Sequence, residues 1–324
     1  MLKKRIISIG IFTIIILNIF AFYTPQKAQG ILNKTLYVGG SGPGNYTRIQ
    51  DAINDARDGY TIYVYSGIYK ENLWVEKSID LIGESKNMTI IDGNGNGDIA
   101  HFSVPWIKIR GFTLTNGGTS QDDAGIIINS NHNIIQDTII TNNRESLGIK
   151  ITRAHHNIIY GNTIKNNYIG ISIYQSHHNT IQKNIVTIEN NTRPDSTGLL
   201  ILASRQNMIQ GNTFQKNDIG LYIGNTLPSL LINIPYFNTI EKNNFIKNDE
   251  HASFLNSFFN RWSHNYWDDY DGTGLYYIPG LIGDYLLYPL IFNWTNIDWN
   301  PAKEPHENPV NDPNESLEDE LDEK

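Results

Sequence analysis

Apolar side chains in the middle of this chain follow a short rhythm that repeats. The tetrads Gly125-Ile-Ile-Ile, Gly148-Ile-Lys-Ile, Gly170-Ile-Ser-Ile, Gly198-Leu-Leu-Ile and Gly220-Leu-Tyr-Ile recur at spacings of 23, 22, 28 and 22 residues. After each glycine the first and third positions are Ile or Leu, whereas the second is Ile127, Lys150, Ser172, Leu200 or Tyr222. Alternation of this kind predicts a strand with one buried and one exposed face. A second series runs in step, at Asn133, Asn157, Asn179, Asn207 and Asn238, each followed two positions later by Ile. A third strand places Ile140, Ile164, Val186, Phe214 and Phe245 at its buried position.

Three such short strands cannot bury their apolar faces alone. Stacked in parallel, coil on coil, they line one continuous core, with each coil adding one strand spacing of about 4.8 Å. The predicted fold is therefore all-β, a single-stranded right-handed parallel β-helix of about nine coils at roughly 22 residues per coil. Asn162, Asn184, Asn212 and Asn243 hold equivalent turn positions, where their amides can hydrogen-bond along the axis as a ladder; Thr138 breaks the row in the first coil. The segment 189–197 is a polar insertion, and Asn225 to Tyr236 a second, apolar one; both must loop outward. The open ends of such a stack need covers. Thr47 to Arg57 puts Ile49, Ile53 and Ala56 on one helical face ahead of Gly59, predicting a short capping helix, and Trp262, Trp267, Trp294 and Trp299 mark an aromatic-rich C-terminal cap. The division expected is 1–30 signal peptide or membrane anchor, 31–59 N-terminal cap, 60–257 coils, 258–303 C-terminal cap and 304–324 acidic disordered tail.

Lys3, Lys4 and Arg5 followed by an apolar run from Ile6 to Tyr23 read as an export signal. The small residues Ala28 and Gly30 offer a cleavage site, yet the run is nearly long enough to span a bilayer, so cleavage and anchoring both stay open. Any membrane contact is expected only through this segment. An exported chain gives meaning to six Asn-x-Ser/Thr sequons, at Asn33, Asn45, Asn87, Asn190, Asn293 and Asn314, as glycosylation candidates. Net charge is −8, and residues 301–324 supply nine acids against two lysines; the rest is near neutral, without the basic patch that nucleic acid requires. With no cysteine, a metal would have to use His, carboxylate or amide oxygen.

The opening segments Tyr37-Val-Gly-Gly, Ile49-Gln-Asp-Ala-Ile-Asn-Asp-Ala56, Gly59 to Tyr69 and Ser78-Ile-Asp-Leu-Ile-Gly83 resemble the first coils of pectin-lyase-like right-handed β-helix proteins. The Gly-Ile-x-Ile and Asn-x-Ile coils, followed by Asn265-Tyr-Trp-Asp-Asp-Tyr-Asp-Gly272, resemble the NosD-type periplasmic β-helix family and its archaeal cell-surface relatives, over roughly residues 36–303. The resemblance implies the fold, an extracytoplasmic place, and two chemistries: copper handling, as for the members that name the family, or polysaccharide, as for the pectin lyases. Some relatives follow the Asn-Tyr-Trp segment with a stretch that looks like a calcium loop. Here Thr273 to Gly280 replaces it and leaves Asp268, Asp269, Asp271 and Asp284, which argues against calcium.

Sugar-cleaving sites need paired carboxylates about 5–9.5 Å apart on an exposed face. The exposed row of the Gly-led strand holds none, and the row Gln136, Tyr160, Gln182, Gln210 and Glu241 holds one. Gln121-Asp122-Asp123 resembles the paired-aspartate motif of polygalacturonases, but that family's other motifs are missing, so it reads as a turn. Pro305-His-Glu307 resembles part of an alginate-epimerase motif and lies in the tail. Two sets remain. His132, His156 and His178 each precede the marker Asn of a coil, with His155 and His177 one position earlier; a column at about 4.8 Å could share Cu²⁺ or Zn²⁺. Tyr160, Tyr174 and Tyr222 could offer flat surfaces for sugar rings. The expectation is an exported cell-surface module, non-catalytic, recognising or supporting polysaccharide or envelope glycan. A polysaccharide lyase, hydrolase or epimerase, and a NosD-like metal-handling accessory protein, are the alternatives.

Overall fold

A computed structural model describes residues 34–143, 145–189, 194–225, 234–283 and 291–307, all within one compact unit that starts at Lys34. The apolar N-terminal run, the sequons at Asn33, Asn190 and Asn314, residues 190–193 and 226–233 of the two insertions, Asp284 and the acidic tail from 308 onward lie outside the described residues. No helix of the described residues is long and apolar enough to cross a membrane.

The predicted parallel β-helix of right-handed type is what forms. One wall is a nine-stranded parallel sheet from Gly67–Lys70 to Tyr266–Trp267. Its inward column is Tyr69, Ile91, Leu114, Ile140, Ile164, Val186, Phe214, Phe245 and Trp267, one residue per coil, all buried. The Gly-led strands make a second wall, from Leu73–Val75 through Leu147–Thr152 to Glu250–Leu255, and the Asn-led strands a third, from Thr35–Val38 to Arg261–Ser263. The stacked register thus runs past residue 257, and Trp262 and Trp267 are its last core rungs. Rings of Phe245, Trp267 and Tyr276 stack at 4.3 and 4.2 Å and close that end, whereas Trp294 and Trp299 are exposed. The N-terminal helix spans Ile49–Asp55 and buries Ile49, Ala52 and Ile53. Its first amides, of Ile49 and Gln50, donate to the buried carboxylate of Glu71 at 2.8 and 3.0 Å, which satisfies two of the donors every helix start leaves open.

The glycine that opens each tetrad is dictated by the neighbouring coil. A Cβ at Gly170 would stand 2.6 Å from the carbonyl oxygen of Gly198 and 2.3 Å from a methyl of Val186; Gly148, Gly198 and Gly220 meet the same obstacle. In the last coil the position is His251, whose own carbonyl covers Gly220. No further Gly-led strand pairs there, because the next strand joins only at Phe254 and Leu255.

Asparagine amides line all three corners. At the second corner, Asn184 Oδ1 accepts from the backbone and side-chain nitrogens of Asn162, both at 3.0 Å, and its Nδ2 donates to Asn212 Oδ1 and to the carbonyl of Ile159. The same unit continues through Asn243 and Asn265. A second ladder runs Asn133, Asn157, Asn179, Asn207, Asn238, Asn260, and a third comes in two pieces, Asn143 with Asn167 and Asn217 with Asn248. Asn184→Ala strands backbone groups on both sides, at about 1–3 kcal/mol each, and is expected to lower the unfolding free energy by about 3 kcal/mol. Gly170→Ala is expected to cost about 1–3 kcal/mol through overpacking. Urea denaturation followed by circular dichroism measures both. A loss below about 1 kcal/mol for Asn184→Ala would mean that the ladder bonds add little.

Candidate functional site

With the inward rows fixed by packing, chemistry is confined to outward rows and corners. Across the Gly-led wall one outward row is in strict register: Trp74, His101, Ile127, Lys150, Ser172, Leu200, Tyr222 and Ser253. It carries no carboxylate. Lys150 Nζ is held by Asp122 at 3.0 Å, while Asp123 accepts the amide of Ser120; the Gln121-Asp122-Asp123 segment is the turn its composition suggests. Ile127 corrects the sequence reading. It is only 9% exposed, because Ala124 and Leu147, on the strand ahead of the glycine step, form a small apolar cluster with it outside the wall, against which Ile169 packs.

The three candidate tyrosines do not form one platform. Tyr174 and Tyr222 are half-buried on the Gly-led wall, two coils apart and in different rows. Tyr160 is on the Asn-led wall, 8% exposed, with the Lys183 ammonium 5.5 Å from its ring centroid, so the open ring expected there is covered. Tyr222 lines a cleft of about 310 Å³ with Glu250, Ser253, Leu255 and Leu281. At the opposite end of the row Trp74, 48% exposed, lines a cleft of about 230 Å³ with Asn72, Asn96, Asp98 and His101. Sequence reasoning missed this second cleft. The signal was present: Trp74 alternates with the inward Leu73 and Val75, so its outward direction was readable two coils before the regular repeats begin.

The histidines stand in columns, as their spacing predicts. His132, His156 and His178 stack at 5.1 Å with ring planes within 6° of parallel, and Trp106 extends the stack at 4.4 Å. All four, and Gln206, Phe237 and Phe259 beyond them, have left-handed φ near +60° and immediately precede the residue at the ladder position. The orientation is wrong for a shared metal. An imidazole lone pair lies in the ring plane, and parallel planes one rung apart do not meet, so no ion can lie along two of them at bonding distance. Among the described residues no group of three or more His, Cys, Asp or Glu is placed to hold a metal. Asp268 and Asp269 share the His251 ring, at 2.9 and 3.4 Å from its Nε2; Asp268 also accepts the amide of Lys247 and Asp269 the hydroxyl of Tyr276, while Asp271 accepts from Thr273. Of the described sequons, Asn87 and Asn293 are exposed, whereas the Asn45 amide donates to Gly39 O at 2.6 Å.

In the neighbouring column the amide of His177 donates to His155 Nδ1 at 3.0 Å and that of Arg205 to His177 Nδ1 at 3.2 Å. Each ring must keep Nδ1 bare to accept, which requires the neutral form. Burial, then the charge of Arg205, pushes His177 from 6.5 down to about 4. Burial also lowers His155 and His132. The unfolded chain therefore takes up the proton before the folded one: stability is full above pH 6.5 and is lost as pH falls toward 4. Thermal melts should show this, with a shallower pH slope across that window for His177→Gln, which keeps an acceptor but no titrating group. An unchanged slope would show that His177 binds its proton inside the fold.

Comparison with known proteins gives three findings. A family model described as "Periplasmic copper-binding protein (NosD)" matches residues 28–272. Short stretches are similar to plant enzymes: "Probable pectinesterase/pectinesterase inhibitor 41" of Arabidopsis thaliana, 36% identical over 76 residues, and "Pectinesterase/pectinesterase inhibitor PPE8B" of Prunus persica, 34% identical over 84 residues. These cover 20% and 24% of this chain, which spans only 13% and 15% of the two relatives' lengths. Among solved structures, pectate lyase Pel9A superposes with a TM-score of 0.53 at 12% identity, over 72% of this chain and 69% of its own. Escherichia coli YbhC superposes with a TM-score of 0.51 at 12% identity, over 68% and 75%. Likeness at this identity shows the shared fold.

Proposed function

This chain belongs to the NosD family of periplasmic β-helix proteins, and from that premise we propose that it is an extracytoplasmic surface module that binds an envelope polysaccharide without cleaving it. The observation that carries the reading is the outward row of the Gly-led wall. No position of the row is a carboxylate, and it has an aromatic cleft at each end, at Trp74 and at Tyr222, to which Asp98 and Glu250 each add a single acid. Six rung steps of about 4.8 Å separate these, about 29 Å in all. That span suits an extended polymer touching the wall at several points, where modest individual contacts add along one chain. The relatives named as pectinesterases and the fold neighbour named as a pectate lyase support a glycan as the kind of partner.

Copper, which the family description implies, fits this chain's residues poorly. Cysteine is absent and only three methionines occur, so histidine with carboxylate or amide oxygen would have to supply the site, and among the described residues no three His, Asp or Glu are grouped to do so. All nine lie among the described residues, and the five at the corner stand as parallel plates tied to one another or to stacking neighbours. No step of the proposed function passes through a metal.

Isothermal titration calorimetry of the purified chain against neutral and acidic polysaccharides separates the readings. Saturable injection heats that return to baseline are expected. Sustained power after mixing would mean turnover and overturn the non-catalytic reading in favour of a lyase, hydrolase or epimerase; silence across the panel would overturn the glycan reading itself.

A further inference from the structure

We infer that the cleft at Trp74 is a subsite for a neutral hexose unit, selecting hydroxyl-bearing sugar over uronic acid, an assignment that rests on the glycan reading above. Trp74 Nε1 is already satisfied by Glu76 Oε1 at 2.6 Å, so what the side chain has left to offer is its ring surface. The ring leans on His101 with centroids 4.0 Å apart, which fixes it in one orientation before any ligand arrives. A pre-set aromatic face matches the apolar C–H face of a pyranose and spends little entropy on binding.

The polar groups around it suit hydroxyls. Asn72 Nδ2 donates to the carbonyls of Asn96 and Asp98, both at 2.6 Å, and so clamps the loop that brings Asn96 and Asp98 to the cleft. Asp98 Oδ1 accepts the amide of Ala124 at 2.9 Å, which anchors one carboxyl oxygen and leaves Oδ2 for a ligand. Burial raises the Asp98 pKa and lowers that of His101. The shift of His101 favours its neutral imidazole, which can donate and accept, and the Asp98 oxygen not held by the Ala124 amide adds a further polar atom.

No lysine or arginine lines the cleft, and Lys150, the cation of the same outward row, is held by Asp122. A uronate entering here would bring its carboxylate against Asp98 without a cation to offset it, an arrangement that disfavours binding. Hydroxyl pairs of a neutral hexose meet acceptors and donors instead. The pectin-directed names among the relatives would lead one to test acidic sugars first; the cleft chemistry points to neutral ones.

The test titrates the full chain at pH 7 with mannohexaose, cellohexaose, laminarihexaose and hexagalacturonate, then repeats the best binder with Trp74→Ala, Trp74→Phe, Asp98→Asn and Tyr222→Ala. At least one neutral hexasaccharide should bind more tightly than hexagalacturonate. Trp74→Ala should weaken it at least tenfold, Asp98→Asn several-fold, and Trp74→Phe, which keeps an aromatic face, much less; the Phe variant also guards against loss by misfolding. Tighter binding of hexagalacturonate would overturn the neutral-sugar assignment while leaving the glycan reading standing. Neutral binding that Trp74→Ala leaves intact would place the subsite elsewhere, and no binding by any of the four would sink both.

Discussion

Each coil turns its corners through single residues with left-handed φ, and what makes those turns tolerable is the buried amide that follows. His132, His156 and His178 precede ladder asparagines at one corner, Lys183 and Lys242 at another, Asn142 and Asn166 at the third, all with φ between 45° and 65°. A non-glycine residue there costs of order 1 kcal/mol or more. The cost persists because the next residue's side chain holds the corner from inside, accepting from the coil before and donating to the coil after. Asparagine alone among the small side chains has an acceptor and two donors on one planar group, so it can serve both neighbours and the carbonyl left open by the turn. Ladder geometry sets the coil register, and register sets which residues face outward.

The end of a ladder shows the same logic by its exception. After Asn265 the next position is Asp298, fully buried, whose Oδ2 accepts from Asn265 N, Asn265 Nδ2 and Trp267 Nε1 at 2.9–3.3 Å. A terminal rung needs only to accept, and a carboxylate does that more strongly than an amide. In the middle of the row it would face the next carbonyl oxygen with nothing to donate. The histidine column follows from the same corner. A residue held in the left-handed region throws its side chain outward, one above another at every rung, and flat rings so placed stack. Their alignment is therefore a consequence of backbone geometry and needs no ligand to account for it.

Much of the fold was legible because it is periodic. The Gly-led tetrads, the Asn series and the third-strand column each state one row of the core, and the number of coils follows from their spacing. The Asn143, Asn167, Asn217, Asn248 ladder was harder to read because the 28-residue coil interrupts it, so that its two halves do not fall at one spacing. Outward positions were read less well. Ile127 and Tyr160 alternate as exposed residues should, but neighbours close over them, Ala124 and Leu147 in one case and Lys183 in the other. Alternation reports which side of a wall a residue takes, and says nothing of what else lies on that side. The histidine spacing likewise gave the column but not the tilt of the rings, and ring tilt decides whether lone pairs converge.

A solenoid of this kind separates its constraints by direction. Inward rows must be apolar and corners must satisfy the turn, and the fold they define superposes on solved structures at 12% identity. Outward rows have no such duty, and their chemistry can differ completely between proteins that share the fold. Trp74 and His101, one coil apart on the outer face, owe nothing to the core: either could be Thr or Lys without disturbing the ladder. An aromatic ring kept half-exposed, propped by an imidazole and set beside amides clamped to the same loop, is a costly choice for a surface that only needs to be soluble, since bare apolar area invites association. The argument for binding at this face therefore rests on what the fold leaves unconstrained, where side chains of this kind are hard to explain by packing.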